Sequence, residues 1–239
     1  MLEKDYKKLY RIQDKVLQWW KTLNLPFYLT GGTALGRFYL QHRFSEDLDF
    51  FTNDNSEYKQ YIKFINRELK KSFPVDEEKT LVYDDYSRFY ISHDNFLLKI
   101  EFVNDVKYRF GNTKKTYFGE IDTPANILSN KISSIINRDE AKDIYDIIYI
   151  SLNYRFNWRE IFFDAKKKAV INEIDVEKRI KNFPVDWLLN VDGFKKQSDV
   201  DFYQKYLNRI ADDFILGKDN SLCSTGVNIL DAEPIAGKK

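Results

Sequence analysis

Tyr28-Leu29-Thr30-Gly31-Gly32-Thr33 and, after one short helical stretch, His42-Arg43-Phe44-Ser45-Glu46-Asp47-Leu48-Asp49-Phe50-Phe51 decide how this chain is read. The apolar run ending at Thr30 predicts a strand, the glycine pair a turn, Thr33 the opening of a helix through about Leu40, and Asp47 to Phe51 the next strand. Side chains alternate across a strand, so Asp47 and Asp49 share one face while Leu48 and Phe50 enter the core. Two like charges held side by side repel unless a cation sits between them. Hard carboxylate oxygens suit Mg²⁺, with phosphate oxygens completing its shell. Glycine lets backbone N–H groups at a helix start approach a phosphate, and the helix dipole favours negative charge there. The chemistry expected is metal-assisted phosphoryl or nucleotidyl transfer, with Gly31, Gly32 and Thr33 touching triphosphate.

Upstream, Tyr6, Leu9, Tyr10, Val16, Leu17, Trp20 and Leu23 recur at three- and four-residue intervals and predict an amphipathic helix over 5–23. Downstream, residues 57–71 return to helical spacing, and three strands are expected at 79–84, 87–92 and 96–103. The last of these buries Leu98, Ile100 and Phe102 and projects Lys99 and Glu101 from the other face. Glu101 is therefore the candidate third carboxylate, with Asp105 behind it and pairing with Lys99 as the alternative reading. At Asp122-Thr123-Pro124 the pattern changes to helix, with Thr123 as N-cap and Pro124 as first helical residue. Helices are expected near 124–137, 139–152, 157–169, 174–182 and 197–216. The organisation expected is a core over 1–123, a helical domain over 124–217 and a loose tail over 218–239.

A hydrophobic content of 43% in 239 residues, with 19 Phe and 16 Tyr, is enough to build a folded core. Lysine and arginine total 38 against 37 acids, so no global charge draws the chain to nucleic acid, although a local basic patch near Lys107, Arg109, Lys114 and Lys115 stays open. One cysteine, Cys223, excludes an intramolecular disulfide framework, and two histidines make a Cys/His zinc site a poor expectation. No apolar run approaches the roughly 20 residues that span a bilayer. A reducing cytoplasm and no membrane are expected.

Each acid and base in the pattern has a candidate role. Asp47 and Asp49 would hold one or two Mg²⁺ ions, and Glu101 would bind a second ion or activate the incoming hydroxyl. Lys131 offers a point charge to triphosphate oxygens, and Asp143 would orient it or act as an accessory acid. On one straight helix, Lys131 and Asp143 would lie about 120° apart. A break near Asn137-Arg138-Asp139 would bring both to one cleft. Arg43 and Ser45 are candidate phosphate or base contacts. Against these stand blander readings: a Lys131 that snorkels from an apolar helix face, Asp143 and Asp146 as solvated helix charges, and His42 as a neutral group bonded to backbone.

The order glycine pair, helix, Asp-x-Asp and later acid resembles the nucleotidyltransferase superfamily, over roughly residues 25–152. Gly31 to Leu35, His42 to Phe50, Lys131 and Lys142-Asp143-Ile144-Tyr145-Asp146 are similar to the abortive-infection toxin type called AbiEii/AbiGii. The resemblance implies an α/β fold with a polymerase beta-like core, a small mixed sheet and a helical C-terminal domain walling the cleft. It implies an NTP substrate, a tRNA or other RNA acceptor, a toxin used in phage defence, and a DNA-binding antitoxin encoded beside it. The same core also serves transfer to small molecules such as aminoglycosides. A silent nucleotide-binding module is the remaining alternative, and retention of both Asp47 and Asp49 argues against it.

Overall fold

The computed structural model describes residues 3–93, 96–191 and 200–235. Its first helix, α1 (Glu3–Leu23), turns Leu9, Ile12, Val16, Leu17 and Trp20 into the core. One polar side chain on that buried face has a positional role. Gln13 Nε2 donates to the carbonyls of Ser45 at 3.0 Å and Glu46 at 3.1 Å, fixing the loop that delivers Asp47.

Strand β1 (Tyr28–Thr30) runs straight into α2 (Gly31–Leu35), and a π-helical turn over Gly36–Leu40 completes the helix expected from Thr33. Strand β2 (Leu48–Asn53) then alternates buried and half-buried residues, as a strand with one face on the core must. It starts one residue later than expected and runs two further, because its parallel pairing extends to Asp105. After α3 (Tyr58–Ser72) come β3 (Leu81–Val82), β4 (Tyr86–His93) and β5 (Phe96–Asp105). The hairpin β6 (Lys114–Thr116) and β7 (Gly119–Ile121) closes the sheet half of the chain.

The seven strands form one mixed sheet in the order β3-β4-β5-β2-β1-β7-β6. Parallel contacts join β2 to β5 and β1 to β7, and the other pairs are antiparallel. The lysine-bearing segment at 114–115 is thus an edge strand of the main sheet. β2 lies centrally, so the carboxylate face of Asp49 is flanked by β5 on one side and β1 on the other.

Thr123 caps α4 (Pro124–Asn137), accepting from the Asn126 N–H, with Pro124 in the first turn. The chain breaks over Arg138–Glu140 before α5 (Ala141–Asn153). Then follow β8 (Tyr154–Arg155), α6 (Trp158–Lys166), α7 (Glu173–Lys181), the short α8 (Val185–Leu188) and α9 (Val200–Ile215). The expected start of the last helix, at 197–199, lies outside the described residues. Helix α4 packs on α5, α6 and α7, and α7 packs on α9.

The expectation of a loose tail after Gly217 is corrected as far as residue 235. Strand β9 (Val227–Asn228) pairs with β8, and Ile229 and Ala232 are buried. The buried Asn220 amide donates to the carbonyls of Ser151 at 2.6 Å and Tyr154 at 2.8 Å. Side chain to backbone bonds hold this segment, and such bonds leave no periodicity in the sequence. Among the described residues, no helix is long and apolar enough to cross a membrane.

Candidate active site

Asp49 and Glu101 stand directly opposite each other in the parallel register of β2 and β5, and Asp47 immediately precedes β2. All three line a cleft of about 510 Å³, within the range of small-molecule sites. Gly31 and Gly32 form one lip, while Asn130, Lys131 and Ser134 from α4 face them. Gly31 has φ +70°, a left-handed conformation that costs little only for glycine, and a Cβ there would sit 2.6 Å from Asp49 Oδ2. A Cβ on Gly32 would overlap the Arg43 guanidinium. The glycine pair is thus required twice, by backbone conformation and by close approach.

The carboxylates share their charge unequally. Burial, then the neighbouring charges of Asp47 and Glu101, push Asp49 up to about 7. Burial acts on Glu101 in the same direction, but the Tyr86 hydroxyl and the Lys99 ammonium hold it below the ordinary glutamate value. Lys99 Nζ lies 3.0 Å from Asp47 Oδ2 and 3.0 Å from Glu101 Oε2. Both readings of Glu101 are therefore realised: it faces the aspartates and it pairs with Lys99. Among the described residues, no three His, Cys, Asp or Glu side chains are already gathered as a metal-ligand cluster.

Beneath the cleft floor lies a buried ionic network. Arg43 donates from Nε and Nη2 to Asp146, His42 Nε2 is 2.8 Å from Asp146 Oδ1, and Lys131 Nζ is 2.8 Å from Asp146 Oδ2. Lys131 also donates to Asp143, which Arg138 grips from the solvent side at 2.7 Å. Burial opposes ionisation of Asp146, yet Arg43 and Lys131 hold it well below the usual carboxylate range. Burial likewise opposes the charge on Lys131, and Asp146 and Asp143 outweigh it. His42 is depressed by burial, and its partner is Asp146 rather than the backbone.

The structure brings Gly31, Gly32, Arg43, Ser45, Asp47, Asp49, Glu101 and Lys131 to one cleft, with Asp105 farther along β5. The break between α4 and α5 lets Lys131 and Asp143 meet, as expected. Two placements differ from expectation. Thr33 is fully buried and donates its hydroxyl to the Asp47 carbonyl, so that side chain positions the loop and does not reach a triphosphate. Asp143 is also fully buried behind Lys131 and Arg138, so its carboxylate meets those two cations and does not line the cleft. Asp146 is the hub of the floor and no solvated helix charge.

Lys99, Tyr86, Arg138 and Lys168 also line the cleft without having been singled out by the motif. Lys99 had a signal, since strand alternation puts it beside Glu101. Lys168 had none: its ammonium is held by Asn126, by Ser129 at 2.7 Å and by Asn130 at 2.6 Å, contacts made 38 or more residues away.

Seven mixed strands, a glycine turn over paired aspartates and a helical wall define a nucleotidyltransferase. The chain belongs to the AbiEii toxin family: the family model described as nucleotidyl transferase AbiEii toxin, type IV toxin–antitoxin system, matches residues 18–185. Solved structures share the fold. JHP933 from Helicobacter pylori superposes with a TM-score of 0.56 at 22% identity, covering 90% of this chain and 94% of that one. MenT4, a nucleotidyltransferase toxin from Mycobacterium tuberculosis, gives 0.50 at 13% identity, covering 89% and 84%. No curated protein matches the sequence.

Proposed function

We propose that this toxin transfers a nucleotide from an NTP to an RNA hydroxyl, with tRNA as the first acceptor class, in a Mg²⁺-dependent reaction serving phage defence. One observation carries the reading: Asp49 lies in register with Glu101, two residues from Asp47, directly beneath a glycine turn with no room for a side chain. Mg²⁺ fits these residues by donor type and charge. Among the described residues, Lys99 is the cation within ion-pair distance of Asp47 and Glu101, and Asp49 has no ion-pair partner of its own. Asp47 and Asp49 would hold the ion, which when bound polarises the α-phosphoryl group and neutralises leaving pyrophosphate.

The chain's own residues supply the rest. Backbone N–H groups at Gly31 and Gly32 cradle the triphosphate. Arg43 and Ser45 line the same lip, with Arg43 locked by Asp146 so that its position costs no reorganisation. Lys131, oriented by Asp143 and Asp146, presents positive potential from the floor. The acceptor hydroxyl oxygen attacks the α-phosphorus in line and gives its proton to solvent; a new P–O bond forms as the bond between the α-phosphorus and the bridging oxygen breaks, and pyrophosphate departs with that electron pair. The partner that restrains the toxin is a DNA-binding antitoxin encoded beside it, and its place of action is the cytoplasm.

The test is incubation with each α-labelled NTP, Mg²⁺ and bulk tRNA. Label on RNA that disappears in Asp49→Ala is expected. Label only on protein or on a small molecule would overturn the acceptor assignment, and unchanged labelling by Asp49→Ala would overturn the site.

A further inference from the structure

Lys99 carries a consequence for how many ions the site accepts. Lys99 and Glu101 are two residues apart on β5 and rise from the same face, while the register Leu48 with Ile100 sets Lys99 alongside Asp47. Strand pairing brings both acids within reach of the Lys99 side chain, whose ammonium lies 3.0 Å from Asp47 Oδ2 and 3.0 Å from Glu101 Oε2. The other oxygen of Glu101, Oε1, accepts from the Tyr86 hydroxyl on β4. Both oxygens of Glu101 are thus engaged by the protein itself. Asp47 Oδ1 and the Asp49 carboxylate remain the oxygens without a cationic partner.

On this geometry, and resting on the metal-dependent reading above, we propose that the site takes one divalent ion, on Asp47 and Asp49, and that Lys99 permanently supplies the second positive charge. Lys99 is a positioning residue here: it neutralises Glu101 and Asp47 as a compact point charge and repels a second dication from the same acids. A lysine in this place keeps the three acids together when no metal is bound. It also removes Glu101 from the set of ligands and from service as a base.

Mn²⁺ titration of the full chain, read by bound-metal stoichiometry and by thermal melting, tests this. The wild type is expected to bind one Mn²⁺ per chain, Lys99→Arg one, and Lys99→Met or Lys99→Gln two, the neutral variants melting lower without metal and gaining more from Mn²⁺ than the wild type. Two ions on the wild type, both lost in Asp49→Ala, would overturn the role of Lys99 and leave the metal site standing. One ion of unchanged affinity in both neutral variants would do the same. No binding by the wild type, with Asp49→Ala indistinguishable from it, would overturn the metal reading itself.

Discussion

The Arg43 guanidinium closes on Asp146 with two parallel hydrogen bonds, Nε to Oδ1 at 2.6 Å and Nη2 to Oδ2 at 2.8 Å, across 103 residues of sequence. This pair clamps the loop before the aspartates to helix α5. Such bidentate geometry is the strongest ionic contact available to a protein interior. Arg43 also stands where a Cβ on Gly32 would have to go, so the clamp and the glycine lip form one unit.

Removing one partner of a buried ion pair leaves uncompensated charge. Asp146→Ala leaves the buried Arg43 without its carboxylate and Lys131 with Asp143 alone, and is expected to cost about 3–5 kcal/mol. Chemical denaturation measures this directly. A loss below about 1 kcal/mol would show the network to be dispensable to the fold.

Asp49 sits against two other carboxylates, so the fold carries repulsion between them. In metal-free buffer at pH 8, Asp49→Asn keeps the shape and removes one charge, and it is expected to raise stability by on the order of 2 kcal/mol while abolishing transfer. Thermal melting in the presence of a chelator, paired with the labelling assay, checks both halves. A destabilised variant would mean that the cluster holds the fold together.

Glycine at 31 is required by both φ and space. Gly31→Ala must take φ +70° with a Cβ at 2.6 Å from Asp49 Oδ2, at a cost of roughly 1–2 kcal/mol. Transfer should fall by more than the loss of stability explains, because the displaced carboxylate is the proposed metal ligand Asp49. Activity measured well below the melting temperature separates the two effects.

Lys168 offers a pH signature. Burial lowers its pKa from 10.5 to about 8, against the opposing charges of Asp122 and Asp105. Its folded pKa lies below its unfolded one, so between pH 8 and the unfolded value the unfolded chain binds more protons and stability rises with pH. Buried tyrosines such as Tyr58, raised to about 12 chiefly by burial, act oppositely above about pH 10. The window is therefore about pH 8–10, and Lys168→Met should flatten the slope there. Denaturation midpoints at three pH values across it decide the matter.

The glycine pair, the strand carrying Asp49, and the alternation exposing Glu101 were legible because each follows from local periodicity and from what a turn demands of its residues. The cap at Thr123 and Pro124 was legible for the same reason. The short strands β8 and β9 and the packing of the tail through Asn220 were not, since two-residue ladders and isolated amide bonds have no period. Within the site, Asp143 and Asp146 read alike as helix acids, and only the packing of α5 under the loop at 42–45 distinguishes orienting group from hub.

Sequence by itself determined which acids share a face and where a glycine turn lets the backbone come close to them, because backbone geometry repeats every two or 3.6 residues and a turn selects its residues. Tertiary structure alone decided the remaining pairings of charge: Lys99 on Asp47, Arg43 on Asp146, Lys131 on Asp146. Charge compensation depends on distance through space, and segments far apart in the chain set that distance only once they have packed.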